Sequence, residues 1–217
     1  SYQADTVEAV RNAGRFLGEG GMDAVKLEGG RPVTDTVRAI VEAGIPVMGH
    51  IGLTPQSVNA LGGWRVQGRT AQSAAGLVSD ALGLERAGCF AIVLESVPDR
   101  VAAHITERLT VPTIGIGAGR GTSGQVLVLH DLIGLFDQFT PKFVRRYAEV
   151  AGVIRVAVEA YRDDVKSGAF PGDENLYTIS DEAFTEFLAL QHRADRRPGR
   201  AQDRGDEDWD SGEGIGV

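Results

Sequence analysis

Lys26 and Glu28 stand two residues apart in the stretch AVKLEGG, from Ala24 to Gly30. A short apolar run between Gly21 and the pair Gly29-Gly30 reads as a buried strand. Side chains alternate across a strand, so the ammonium and the carboxylate share one face. Such a pair is costly on a buried strand unless its members are paired or used. It is therefore either a structural ion pair or part of a site.

Other polar residues recur at strand ends. His50 lies near the end of IPVMGHIG (residues 45–52), Glu95 near the end of CFAIVLESV (89–97), and His130-Asp131 follow QVLVL. Glu95 directly follows an apolar run, with Pro98 ending the segment; a carboxylate partly desolvated there suits a general base. The plainer readings are a solvated strand-end carboxylate for Glu95 and a hydrogen-bonded core histidine for His50. His104 and His192 fall on predicted helices as surface residues, and Cys89 starts its strand as a core residue.

The elements that must hold these groups alternate. Apolar periodicity predicts helices over 5–20, 34–43, 73–88 and 100–109. Strands are predicted over 24–30, 45–52, 89–97, 113–119 and 125–130. Thr54-Pro55 reads as a helix N-cap with proline at the first position, and residues 61–70, LGGWRVQGRT, as a glycine-rich loop that moves or covers something. The strands are Val/Ile/Leu runs, the mark of a parallel sheet buried on both faces. Polar groups at C-terminal strand ends suit both a β/α barrel and a doubly wound sheet. Long helices are predicted over 141–166 and 180–192, with Ser180 as a cap. Residues 193–217, charged and glycine-rich, read as an acidic disordered tail, so the domain is expected over 1–192.

Gly119, Gly121 and Gly124 match G-x-G-x-x-G by letter. A dinucleotide site needs a helix to begin there, whereas another strand is predicted, so the glycines read as a turn or a close approach to a ligand. With 217 residues, 42% of them hydrophobic and 24% charged, the chain suits one sizeable core. A net charge of -8 with lysine only at 26, 142 and 166 argues against nucleic acid binding. The single cysteine excludes an internal disulfide and points to a reducing cytoplasm, and no apolar run is long enough to span a membrane.

AVKLEGG, PVMGHIGLTPQSVNALGGWRVQGR, AIVLESVP, PTIGIGAG, GQVLVLHDLIGL, PKFVRRYAEV and FPGDENLY, in that order, resemble ketopantoate hydroxymethyltransferase over residues 1 to about 177. The resemblance implies a (β/α)8 TIM barrel of the phosphoenolpyruvate mutase/isocitrate lyase type. It also implies transfer of a hydroxymethyl group from 5,10-methylenetetrahydrofolate to 3-methyl-2-oxobutanoate, giving 2-dehydropantoate for pantothenate and coenzyme A, through a Mg2+-stabilised enolate. By motif, Glu95 is the proton acceptor, Lys26 contacts the oxo acid, Glu28 belongs to the Mg2+ site and His50 lines the substrate pocket. A large homo-oligomer is implied as well.

The pattern departs from the family in one respect. Only five strands are predicted, and Ser1-Tyr2 matches the middle of the family's barrel. Two metal-binding aspartates and a substrate-holding serine of the family lie upstream of that match. Five strands do not close a barrel of eight, so the expectation is an N-terminally incomplete barrel. The alternatives are an inactive or purely assembling piece of that enzyme, and a related 2-oxo acid carbon–carbon lyase.

Overall fold

The computed structural model describes residues 1–195 and divides into two units, Ser1–Ala157 and a second that begins at Val158. The first unit is built on one five-stranded parallel sheet in the order β1-β2-β3-β4-β5. The strands are β1 (Val25–Glu28), β2 (Val47–Gly52), β3 (Ala91–Glu95), β4 (Thr113–Ile116) and β5 (Gly124–Gln125). Helices α1 (Thr6–Gly18), α2 (Thr34–Glu42), α3 (Ala71–Arg86) and α4 (Asp99–Arg108) complete the repeating part.

Strand parity decides the layering. Leu27, Val47, Ile51, Ile92 and Leu94 lie on one face of the sheet and share a single core with Ala9 and Ala13 of α1, Val37 and Ile40 of α2, Leu77 and Leu84 of α3, and Ile105 of α4. Burying each large aliphatic side chain contributes about 1.5–3 kcal/mol. Helices on one face with strands in sequential order are the winding of a β/α barrel; a doubly wound sheet reverses its order and carries helices on both faces. The opposite face carries Lys26, Glu28, His50 and Glu95, placed there by the register Glu28↔His50 and Gly52↔Glu95.

Local chemistry accounts for the helix ends. Asp5 accepts the Glu8 N–H at 2.8 Å and starts α1. Thr70 and Ser73 cap α3 reciprocally, so the helix begins two residues before the expected Ser73. Pro55 opens only a 3-10 turn, Pro55–Ser57, without a side-chain cap from Thr54.

Two expected elements differ. The strand over 125–130 shrinks to Gly124–Gln125, and His130 and Asp131 fall in the short helix α5 (Leu129–Leu132), away from any strand end. Of the predicted helix over 141–166, the first nine residues are irregular, and α6 starts at Val150 and runs to Ser167. Tyr147 N–H and Val150 N–H bond to the carbonyls of Leu132 and Ile133, outside any helical pattern. Between Gly119 and Gly124 the chain turns directly from β4 into β5, as the absence of a nucleotide-type helix requires.

The second unit contains the end of α6, a 3-10 turn at Asp173–Asn175 and α7 (Asp181–Asp195). Tyr161 and Phe170 meet edge to face at 5.4 Å, and Ser180 Oγ accepts the Ala183 N–H at the start of α7. That helix continues to Asp195, past the expected end at 192. Apart from residues 193–195, the expected tail over 193–217 lies outside the described residues. Among the described residues, no helix is long and apolar enough to cross a membrane.

Candidate active site

Glu28, His50 and Glu95 form a row across three adjacent strands. Register alone puts their Cα atoms on one face near the C-terminal ends of β1, β2 and β3. The His50 side chain is 2% exposed; its Nδ1 lies 3.6 Å from Glu28 Oε1 and its Nε2 lies 3.2 Å from Glu95 Oε2. Both ring nitrogens are thus within ion-pair range of a carboxylate, yet neither is aligned for a hydrogen bond. Both nitrogens of this buried imidazole are left without a hydrogen-bond partner among the described residues, so the reading of His50 as an internally satisfied core histidine does not hold.

Glu28 is held from two sides. Its Oε2 accepts the Gln56 N–H at 2.9 Å, and its backbone carbonyl accepts the Tyr2 hydroxyl at 2.7 Å. Gln56 is the second residue of the Pro55–Ser57 turn, where backbone N–H groups lack intrahelical partners. The proline-started turn after His50 therefore serves the carboxylate on the neighbouring strand. Burial and the nearby Glu28 charge push the Tyr2 hydroxyl above its ordinary pKa, against the opposing effect of its own hydrogen bond to the Glu28 carbonyl. Sequence reasoning missed both Tyr2 and Gln56. Proline after Thr54 was a signal for the turn, and nothing in the residue pattern tied Tyr2 to Glu28.

Lys26 lies on the same face but is exposed, and it makes no ion pair among the described residues. The Lys26–Glu28 structural ion pair considered from spacing is therefore not formed. Its ammonium is available to an anion.

Glu95 ends β3 with its side chain 16% exposed, which places it between the core and solvent. Its backbone carbonyl accepts the Leu53 N–H at 2.8 Å, and Gly52 packs hard against it. A Cβ on Gly52 would lie 2.2 Å from the Glu95 carbonyl oxygen, and Gly52 has φ +95°. Only glycine fits that crossing. Ser96, the next residue, has φ +50°, a left-handed conformation uncommon for a residue with a side chain. The strain is held by its N–H bond to the Ile116 carbonyl and by its own carbonyl, which accepts the Gln67 N–H. Through Gln67 the 61–70 loop docks beside Glu95.

Mg2+ ordinarily takes one or two carboxylates and completes its octahedron with water and substrate oxygens. Glu28 fits that need as a single oxygen donor, since Oε2 is engaged by Gln56 while Oε1 accepts no hydrogen bond among the described residues. No group of three or more His, Cys, Asp or Glu among the described residues forms a complete metal cage. Any further donors for such an ion would come from outside the described residues. The arrangement can orient an anion on Lys26, place a hard oxygen ligand beside it and present a carboxylate base across the imidazole.

The sequence pattern of the ketopantoate hydroxymethyltransferase family matches residues 1–173. Curated relatives described as 3-methyl-2-oxobutanoate hydroxymethyltransferase include one from Moorella thermoacetica, 59% identical over 177 residues, covering 82% of this chain and 66% of the relative. One from Syntrophobacter fumaroxidans is 54% identical over 193 residues, covering 89% and 68%. One from Nitratidesulfovibrio vulgaris strain DP4 is 52% identical over 189 residues, covering 87% and 62%. The chain spans 62% to 66% of the length of the relatives matched first. With a match over most of its length and such identities, the chain belongs to the ketopantoate hydroxymethyltransferase family.

Proposed function

We propose that this chain carries the oxo acid site and the catalytic base of a hydroxymethyltransferase that moves a one-carbon unit from 5,10-methylenetetrahydrofolate to 3-methyl-2-oxobutanoate, giving 2-dehydropantoate. The observation that supports this reading best is the Glu28–His50–Glu95 row with the unpaired Lys26 on the same face. In this reading Lys26 meets the oxo acid's carboxylate, and its positive charge favours negative charge developing next to it. Glu95 accepts the C3 proton. The imidazole of His50 lines the pocket between the two carboxylates and fixes where Glu95 points. Gln56 N–H keeps the Glu28 carboxylate turned toward the pocket. Mg2+, held beside Glu28, would supply Lewis acidity to the keto and carboxylate oxygens of the oxo acid. C3 then bonds to the donor's one-carbon unit as that carbon parts from both donor nitrogens. Water supplies the hydroxyl oxygen and the two hydrogens that leave on tetrahydrofolate, and the proton held by Glu95 is returned to the new hydroxyl group.

A cytoplasmic location and a homo-oligomeric assembly are part of the same proposal; one buried cysteine suits the first. A second reading is favoured by the sheet itself, in which, among the described residues, β1 pairs only with β2. In that reading the 217-residue polypeptide assembles with further strands and is inactive alone. Calorimetric titration with 3-methyl-2-oxobutanoate, with and without Mg2+, separates the two. Metal-dependent binding supports an oxo acid site standing on Lys26 and Glu28. No heat of binding from a folded chain contradicts it and supports the assembling piece.

A further inference from the structure

We infer that the cavity beside the base, between the ends of β3 and β4 and the segment around Phe143, is the subsite for the one-carbon donor's aromatic, carboxylate-bearing part. This rests on the proposed function, because the donor is taken from that reading; the cavity is read from the structure.

The cavity has a volume of about 710 Å³, within the range of sites for small molecules. Ser96 lines it, so it opens next to Glu95, the group that must face the acceptor carbon. Its walls differ from those of the oxo acid site. Arg120 and Lys142 both line it, both are exposed, and neither makes an ion pair among the described residues. In a chain with net charge -8 and only three lysines, two unpaired cations on one cavity are a recognition feature for carboxylates.

Phe143 supplies the aromatic surface. A Cβ on Gly117 would lie 2.7 Å from the Phe143 ring, and Gly117 has φ +65°. The glycine after β4 therefore lets the ring lie against the strand end, where it remains 40% exposed for another ring to stack on. Asp99 also lines the cavity, with its Cβ against Gly119. It can accept hydrogen bonds from amino groups of a heteroaromatic ring. An anion-binding end, an aromatic wall and a hydrogen-bond acceptor match a reduced folate: a pterin, an aminobenzoyl ring and a carboxylate tail.

The test is direct binding, without turnover and without oxo acid. Tetrahydrofolate is titrated under reducing conditions into the full chain, Arg120→Ala, Lys142→Ala, the double variant, and Arg11→Ala, an exposed arginine on α1 that serves as a charge-matched control. Each single substitution is expected to weaken binding about tenfold and the double variant more, at constant ionic strength. Arg11→Ala should bind as the unaltered chain does. A tetrahydropterin without the aminobenzoylglutamate portion should be insensitive to Arg120 and Lys142 yet weakened by Phe143→Ala. Circular dichroism checks folding, and Lys142→Glu provides a second variant at the same exposed position.

No binding of tetrahydrofolate to the unaltered chain, or equal affinity of the double variant and Arg11→Ala, overturns the subsite. Failure of C3 proton exchange on the oxo acid, assayed without folate, strikes the proposed function instead, so the two failures are distinguishable.

Discussion

His50 touches two carboxylates without aligning on either, and that arrangement defines the chemistry at residue scale. Its ring lies between Glu28 and Glu95, which in the proposed reaction sit beside the oxo acid and take the proton, respectively. His50→Leu keeps the bulk and removes the polar contacts. It should lower turnover about tenfold to a thousandfold while oxo acid affinity changes less, measured as kcat against KM. Equal losses in affinity and turnover would place His50 in substrate binding alone. Cys89 shows the opposite behaviour. Burial pushes its thiol up to about 11, against a hydrogen bond involving the Gly49 backbone that lowers it. The thiolate is the reactive form. Alkylation by iodoacetamide at pH 8 should therefore be slow in the folded chain and rapid in denaturant; rapid labelling of the folded chain would contradict the burial.

At the scale of elements, two joints hold the strand ends in place. Gly52→Ala must either move the Glu95 carbonyl or distort β2, because its Cβ would meet that oxygen at 2.2 Å in a left-handed backbone. A loss of at least about 2 kcal/mol is expected, read from the urea midpoint. An unchanged midpoint would mean the crossing relaxes freely. Glu85, near the end of α3, accepts Thr110 N–H at 2.6 Å, the Thr110 hydroxyl at 2.9 Å and Val111 N–H at 3.2 Å, and so anchors the link from α4 to β4. Partial burial alone would raise its pKa. The Thr110 and Val111 hydrogen bonds, with Arg86 nearby, outweigh burial and hold it below the ordinary carboxylate value. A depressed folded-state pKa stabilises the fold above the unfolded-state value and loses that contribution as pH falls through the lower folded value. Glu85→Gln should therefore cost about 1 kcal/mol at pH 7, reduced by solvent screening, with the difference vanishing in the acid range below the ordinary carboxylate value. A difference that persists there would mean the charge is not its source.

At the scale of the whole molecule, the alternation of buried parallel strands with helices was legible in the sequence because Val/Ile/Leu runs alternated with amphipathic helices. Parity placed Lys26 and Glu28 on one face before any distance was known, whereas the inter-strand register was needed to bring His50 and Glu95 onto that face. The choice between barrel and doubly wound winding came from the family resemblance and was not legible in the residue pattern alone, because it depends on which sheet face the helices cover. That information lies in packing, in the shared core of Leu27, Val47, Ile92 and Leu94 with α1–α4. The Tyr2 and Gln56 contacts to Glu28 were invisible for the same reason: they join residues 26 and 28 positions apart. Residues 125–130 misled because VLVL has strand composition, yet the ladder with β4 pairs Gly124 and Gln125 and ends with the Val126 N–H on the Gly115 carbonyl. Hydrophobic composition cannot report where a neighbouring strand stops.

The base assignment is tested most directly by C3 hydrogen exchange of 3-methyl-2-oxobutanoate in D2O with Mg2+ and no folate, comparing the unaltered chain with Glu95→Gln by proton NMR. The account predicts exchange catalysed by the unaltered chain and slowed by about two to four orders of magnitude in Glu95→Gln, with oxo acid binding retained in calorimetry. Equal exchange rates in the two proteins would show that another group removes the proton.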